Sequence, residues 1–161
     1  LAGALALRLG DFDEAIGHYR GLVGMRPDEP TYRYWLGVAR LGARDCGGMD
    51  DFEMAVRLQA DAGAAHVALA RALALCGKPR EALMRAEALR EAVDNPATRT
   101  TLAFARLLLG DVETVHELAG TASNPDAVMV ITAADRIKAG EQPVLWLFAP
   151  ESPQWYPRMP D

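Results

Sequence analysis

Histidine and serine, which often act as base and nucleophile in catalytic sites, are few in this chain. The histidines are His18, His66 and His116, and none has a carboxylate or a cysteine four residues later. The serines, Ser123 and Ser152, lie in proline-containing breaks, and neither is near a histidine in sequence. A serine nucleophile needs a base held beside it, so the sequence predicts no catalytic residue, although distant residues can converge on folding. We expect satisfied or solvent-facing histidines and a chain that is not an enzyme.

Metal and phosphate chemistry also lack their usual patterns. Cys46 and Cys76 stand far apart in the sequence, with no CxxC and no histidine at the spacing of a metal ligand. The sequence therefore predicts neither a zinc site nor a disulfide framework, and a reducing compartment such as the cytoplasm fits best. Gly47-Gly48 is not followed by the lysine and hydroxyl residue of a phosphate loop. We expect no cofactor.

The composition favours helices over strands. Half of the 161 residues are apolar, enough for one domain with a core, and only 7% are aromatic. Alanine and leucine are abundant, whereas valine and isoleucine are sparse, so the expected class is all-α. The net charge of −5 and the scattered arginines disfavour nucleic acid as a partner. No apolar run approaches the length of a membrane span, so we expect a soluble protein.

Leucines and glycines recur at a nearly fixed spacing, about every 33 residues, which is typical of stacked supersecondary units. The series consists of three leucines and three glycines: Leu36, Leu69, Leu102, Gly77, Gly110 and Gly140. Gly10 precedes Gly77 by close to two such periods, and only the step from Gly110 to Gly140 is slightly shorter. Each glycine ends an apolar run and precedes a residue that can open a new helix, so every unit is predicted to be a helical hairpin.

Further residues mark the helix ends. Asp11 is placed to cap a helix, with Glu14 three residues later in a capping-box arrangement. Pro79 falls in a first turn, where proline is tolerated. Asn95-Pro96 and Asn124-Pro125 supply breaks between units, because proline does not continue a helix.

This pattern resembles the tetratricopeptide repeats, whose unit is about 34 residues long. The first two units match through Gly3, Gly10, Phe12, Ala15, Tyr19, Pro27 and Leu36-Gly37, and the third through Leu69, Gly77, Ala82 and Leu89. The fourth keeps Leu102 and Gly110 but has Val115 and Ala119 where the family has a small residue and an aromatic one. The resemblance implies a solenoid of about four hairpins over residues 1–140.

The second unit departs from the pattern. The separation between Leu36 and Ala55, taken as the alanine of the second helix, is longer than the family's by about six residues. The separation between Ala55 and Leu69 is shorter than the family's by about seven residues. This spacing predicts an extra stretch from Gly42 to Asp50 and a short second helix. A plain insertion, a partner-contacting loop and a different phasing, with an earlier and irregular second helix, all remain open.

Residues 141–161 have a different character. Five prolines and two of the three tryptophans lie between residues 143 and 161, which is not a helical-repeat pattern. We interpret this segment as an irregular C-terminal cap or as a linker. As a cap it would cover the last hairpin with the aromatic side chains Trp146, Phe148, Trp155 and Tyr156.

The resemblance also implies a concave groove lined by the first helix of each unit. The family's groove positions correspond here to Ala4, Arg8, Thr31, Tyr34, Val38, Val67, Arg71, Thr100, Phe104 and Leu108. This lining is mostly apolar and lacks the lysine and asparagine clamp that some relatives use for a C-terminal carboxylate. The expected partner is therefore an apolar helix or extended segment of another protein. Alternatively, Tyr34 and Phe104 pack between hairpins.

Three functions agree with these features. The first is a protein-binding scaffold or adaptor. The second is a bacterial chaperone of the type III secretion kind, a class of similar length, acidity and apolar groove. The third is the repeat arm of a larger enzyme, such as a glycosyltransferase.

Overall fold

The computed structural model describes residues 2–59, 63–120 and 125–142, which fold into helices with no strand among them. The helices are α1 Ala2–Leu9, α2 Phe12–Met25, α3 Pro30–Gly42, α4 Gly48–Leu58, α5 Gly63–Leu75, α6 Pro79–Ala92, α7 Pro96–Leu108, α8 Glu113–Ala119 and α9 Pro125–Lys138. The all-α prediction is confirmed. Within these residues no helix is both long and apolar enough to cross a membrane.

The predicted glycines close their helices through one shared backbone geometry. Gly10, Gly77, Gly110 and Gly140 have φ of 75°, 80°, 82° and 78°, a left-handed conformation that favours glycine. After each glycine, the N–H of the next residue donates to a carbonyl five residues back, as in Asp11 to Ala6 at 2.9 Å. The pairs Lys78–Leu73, Asp111–Arg106 and Glu141–Arg136 repeat this bond at 2.8, 3.0 and 2.8 Å. These are Schellman closures.

The second of the predicted repeats uses the same closure without a glycine. Arg44 has φ of 61°, and the Asp45 N–H donates to the Arg40 carbonyl at 2.8 Å. Arg44 lies one repeat length after Gly10 and one repeat length before Gly77, so the period is unbroken. The predicted insertion between residues 42 and 50 is therefore wrong. The alternative phasing, in which the second helix starts earlier, agrees with α4 beginning at Gly48.

Glycine contacts identify the residues that match between the first two hairpins. A Cβ added to Gly3 would lie 3.0 Å from the Tyr19 ring, and one added to Gly37 would lie 2.9 Å from the Phe52 ring. Gly48 precedes Phe52 by four residues, as Ala15 precedes Tyr19. Gly48, rather than Ala55, therefore corresponds to Ala15, the small residue in the second helix of the first hairpin. The shorter second helix is confirmed, since α4 has 11 residues and α2 has 14.

At three helix ends, the two residues joined by the closing hydrogen bond also form an ion pair between their side chains. The arginine whose carbonyl accepts the closing bond pairs with the acidic residue whose N–H donates it. The pairs are Arg40–Asp45 at 2.9 Å, Arg106–Asp111 at 3.1 Å and Arg136–Glu141 at 2.7 Å. We call these pairs the turn clamps. At the Gly10 closure the two residues joined by the closing bond are Ala6 and Asp11, and at the Gly77 closure they are Leu73 and Lys78. Neither closure therefore has a pair of this kind.

The capping residues follow the predictions in part. Asp11 accepts the Glu14 N–H at 3.1 Å, but the Glu14 side chain contacts His18 at 3.3 Å, so only half of that capping box forms. Asn95 accepts the Thr98 N–H at 3.0 Å while the Thr98 hydroxyl accepts the Asn95 N–H at 3.1 Å. The complete capping box therefore stands at the start of α7.

The chain divides into two compact units between Leu69 and Ala70, inside α5. In the first unit α1 packs on α2, α2 on α3 and α3 on α4, around Tyr19, Trp35, Leu41 and Phe52. In the second unit α6 and α7 pack together, and α7, α8 and α9 contact one another around Leu102, Phe104, Val115 and Val130. Residues 143–161, with the predicted cap residues Trp146, Phe148, Trp155 and Tyr156, lie outside the described residues.

Candidate interaction surface

The predicted groove residues differ widely in exposure. Val38, Thr100 and Phe104 are each 1% exposed, and Arg71 is 3% exposed. Side chains this buried belong to the core, so the structure does not present these four as a contact surface. The burial of Phe104 agrees instead with the alternative prediction, in which this side chain packs between hairpins. The remaining groove positions are more accessible: Arg8 and Thr31 are exposed, and Ala4, Tyr34, Val67 and Leu108 are partly buried.

Tyr34 stands at the edge of an aromatic cluster in the first unit. Its ring meets the Trp35 ring edge-on at 5.2 Å and the Phe52 ring at 5.7 Å. Behind it, Trp35 stacks on Tyr19 at 6.3 Å, and burial raises the pKa of the Tyr19 hydroxyl. Edge-on and offset arrangements of this kind are favourable for aromatic rings. Tyr34 is therefore a partly exposed aromatic side chain held in place from behind.

A charged network joins α3 to α4 beside Tyr34. Asp51 is 3% exposed and accepts from Arg33 Nη1 at 3.2 Å and from Arg40 Nη1 at 2.9 Å. Arg40 Nε also donates to Asp45 Oδ2 at 2.9 Å, and the hydrogen bond to Asp51 is the main cause that raises the pKa of Arg40. Since Arg33 directly precedes Tyr34, the network fixes the part of α3 that carries this ring.

Arg71 holds helices together in the second unit. Its Nε donates to the Thr101 hydroxyl at 3.0 Å, and its Nη2 donates to Asp126 Oδ2 at 3.2 Å. Thr101 in turn donates to the Ala97 carbonyl at 2.7 Å. Burial raises the pKa of Asp126, and the Arg71 charge opposes that rise. Arg71 thus connects α5 with α7 and α9, where the sequence had placed it in the groove.

Two of the three histidines each pair with one carboxylate. His18 Nε2 lies 3.3 Å from Glu14 Oε1, and His116 Nε2 lies 2.8 Å from Asp135 Oδ1, with all four side chains substantially exposed. The pairing of His116 on α8 with Asp135 on α9 spans 19 residues, which sequence spacing could not reveal. Within residues 2–59, 63–120 and 125–142, no group of three histidine, cysteine or acidic side chains is close enough to hold a metal ion.

The bonding of the two cysteines differs from the prediction made from the sequence. Neither Cys46 nor Cys76 is a free thiol, and both are disulfide-bonded. The expectation that the chain has no disulfide is therefore wrong. Stable disulfides are rare in reducing compartments, so the cysteines no longer support the predicted cytoplasmic location.

Comparison with known protein families gives no match for this chain. Curated proteins likewise contain no significantly similar sequence.

Proposed function

We propose that this chain is a tetratricopeptide-type repeat protein that binds a segment of another protein. The observation that carries the proposal is the recurrence of one helix closure at Gly10, Arg44, Gly77, Gly110 and Gly140. These positions follow one another at intervals close to the length of a tetratricopeptide unit. Hairpins repeated at this interval build extended binding surfaces, because each unit exposes equivalent helix faces.

Within the first unit, α3 supplies the best contact surface. Tyr34 is partly exposed, and Thr31 lies one helical turn before it and is exposed. Tyrosine is enriched among residues that dominate binding energy, and it loses little conformational entropy on contact. The ring contacts from Trp35 and Phe52 hold Tyr34 in position. An apolar helix or extended segment of a partner, without a captured carboxylate, fits this surface best.

The test compares a contact variant with a matched control. The protein is used as bait to purify a partner, and the affinity of the pair is then measured by calorimetry. Thr31→Glu places a charge on the contact surface in the first turn of α3, where a carboxylate is compatible with the helix. We expect binding to weaken by about tenfold or more, the effect of losing one well-packed contact.

Tyr34→Ala should weaken the same affinity at least as much, and its thermal melt reports any loss of folding. Met84→Ala, at an exposed position on α6, is the control and should leave the affinity unchanged. If Thr31→Glu and a folded Tyr34→Ala both bind with full strength, α3 is not the contact surface.

A further inference from the structure

Among the described residues, α9 is the first half of a hairpin that has no second half. After each earlier closure the chain enters a further helix, and α2, α4 and α8 pack on α1, α3 and α7. After the closure at Gly140, the described part of the chain ends at Gln142. The side of α9 that a second helix would cover is therefore a candidate contact surface.

This side of α9 is partly open. The residue three positions before the closure is between 0% and 6% exposed at the four earlier closures, where it is Leu7, Leu41, Ala74 and Leu107. Its counterpart in α9 is Ile137, which is only partly buried. Covering Ile137 would remove apolar surface from water, which is favourable.

The closure at Gly140 has the geometry of closures after which the chain turns back. The Glu141 N–H donates to the Arg136 carbonyl at 2.8 Å, and the two side chains form a turn clamp at 2.7 Å. The turn clamps at Asp45 and Asp111 have the same two bonds. After these clamps the chain continues as α4 and α8, each packed on the helix just closed. We therefore expect the residues after Gln142 to return along α9.

The sequence after Gln142 supplies an apolar occupant at the required distance. Earlier second helices begin two to four residues after the closure, and Pro143 stands three residues after Gly140. Residues 143–148, which we call the apolar segment, read Pro-Val-Leu-Trp-Leu-Phe and carry no charge. A segment tethered this closely has an effective concentration of about millimolar or higher. It therefore has an advantage over a second copy or a free partner.

Position in the repeat identifies Leu145 as the residue of this segment that faces α9. The residue five positions after the closing glycine is 0% exposed in three earlier hairpins, where it is Ala15, Ala82 and Val115. Leu145 stands five positions after Gly140. The residue seven positions after the closing glycine is exposed in the same hairpins, where it is Gly17, Met84 and Glu117. Leu147 occupies that outward position.

The second hairpin shows what a residue at the inward position contacts. Gly48 is the counterpart of Ala15, and a Cβ added to it would lie 2.7 Å from the Gly37 carbonyl oxygen and 3.2 Å from the Leu41 nitrogen. Gly37 and Leu41 stand seven and three positions before the closure at Arg44. The residues at these positions before Gly140 are Ala133 and Ile137.

We propose that the chain's own apolar segment docks on the open side of α9, with Leu145 against Ala133 and Ile137. The segment takes the place of the second helix of a fifth hairpin, so this side of α9 is closed to a partner and to a second copy. Unlike the cap predicted from the sequence, which relies on aromatic side chains, this contact places a leucine in register with the repeat. It rests on the repeat of the proposed function but not on binding at α3.

The experiment is an NMR measurement on the full chain. The methyl groups of isoleucine and leucine are labelled with ¹³C, and nuclear Overhauser contacts between them are recorded. The isoleucines are Ile16, Ile131 and Ile137, and Ile137→Val identifies the signal of Ile137. We expect a contact between the Ile137 and Leu145 methyl groups within one molecule.

Two glutamate variants separate a contact in register from a general effect of an apolar segment. Leu145→Glu should abolish the contact to Ile137 and speed hydrogen exchange in the last turn of α9 by about tenfold or more, because a buried leucine contact is lost. Leu147→Glu makes the same change at the outward position of the same segment. It is the matched control and should leave the contact and the exchange rates unchanged.

Three results would overturn the inference. They are the absence of a contact between Ile137 and Leu145, equal effects of the two glutamate variants, or a contact seen only between differently labelled copies in a mixed sample, which would make a second copy the occupant. If the contact is absent while Thr31→Glu still weakens partner binding, only the docking on α9 is refuted. If the contact is present while Thr31→Glu and a folded Tyr34→Ala bind with full strength, only α3 is refuted as a contact surface.

Discussion

The two units bury charge in opposite ways. In the first unit the buried group is an acid, Asp51, held by Arg33 and Arg40, whose side chains are each 27% exposed. In the second unit the buried group is a base, Arg71, whose side chain is 3% exposed and is paired with Asp126 at 17%. The partners of Asp51 lie 11 and 18 residues away, within one hairpin, whereas the partners of Arg71 lie 30 and 55 residues away. One network therefore closes a hairpin, and the other joins successive hairpins.

The largest expected effect is at Arg71. Arg71→Ala leaves Asp126 without its cation and removes a large buried side chain, and breaking a buried pair in this way costs about 3 to 5 kcal/mol. Urea unfolding at neutral pH measures this loss. Arg80→Ala, at an exposed arginine of α6, is the control and should change stability by less than about 0.5 kcal/mol. Equal stability of the two variants would show that Arg71 does not hold α5, α7 and α9 together.

A smaller loss is expected at Asp51. Asp51→Ala removes the acceptor of Arg33 and Arg40, but both arginines are partly exposed and can turn towards water. The cost is then that of lost hydrogen bonds, about 1 to 3 kcal/mol. The same urea titration compares this variant with Arg71→Ala. A loss for Asp51→Ala that exceeds the loss for Arg71→Ala would reverse the contrast between the units.

The smallest effects concern the helix closures. Arg44 in the first unit has the left-handed backbone that Gly110 has in the second, and a residue with a Cβ is strained there. Gly110→Ala should therefore destabilise the protein by about 1 kcal/mol, while Arg44→Gly should stabilise it by a similar amount, as the strain is relieved. Thermal melts of both variants measure the two shifts. Shifts of the same sign would mean that the two closures are not equivalent.

The sequence predicted the helices and most of their ends, because closure by glycine depends on residues close together in the chain. The closure at Arg44 is not predictable in this way, because no glycine marks it, and the spacing from Ala55 therefore indicates an insertion that the structure does not contain. The buried networks were also missed, because their partners lie at separations that follow no period. The groove prediction assigned Val38 and Phe104 by position in the repeat, whereas their burial depends on how neighbouring helices pack. Binding itself stays a prediction.

The turn clamps make the response of this fold to salt uneven along the chain. Their side chains are between about one quarter and one half exposed, so added ions screen them. We therefore expect the closures at Arg44, Gly110 and Gly140 to loosen slightly as ionic strength rises. The closures at Gly10 and Gly77 have no turn clamp and should respond less. Added salt should thus change the relative stability of the helix ends and, with it, the order in which they open locally.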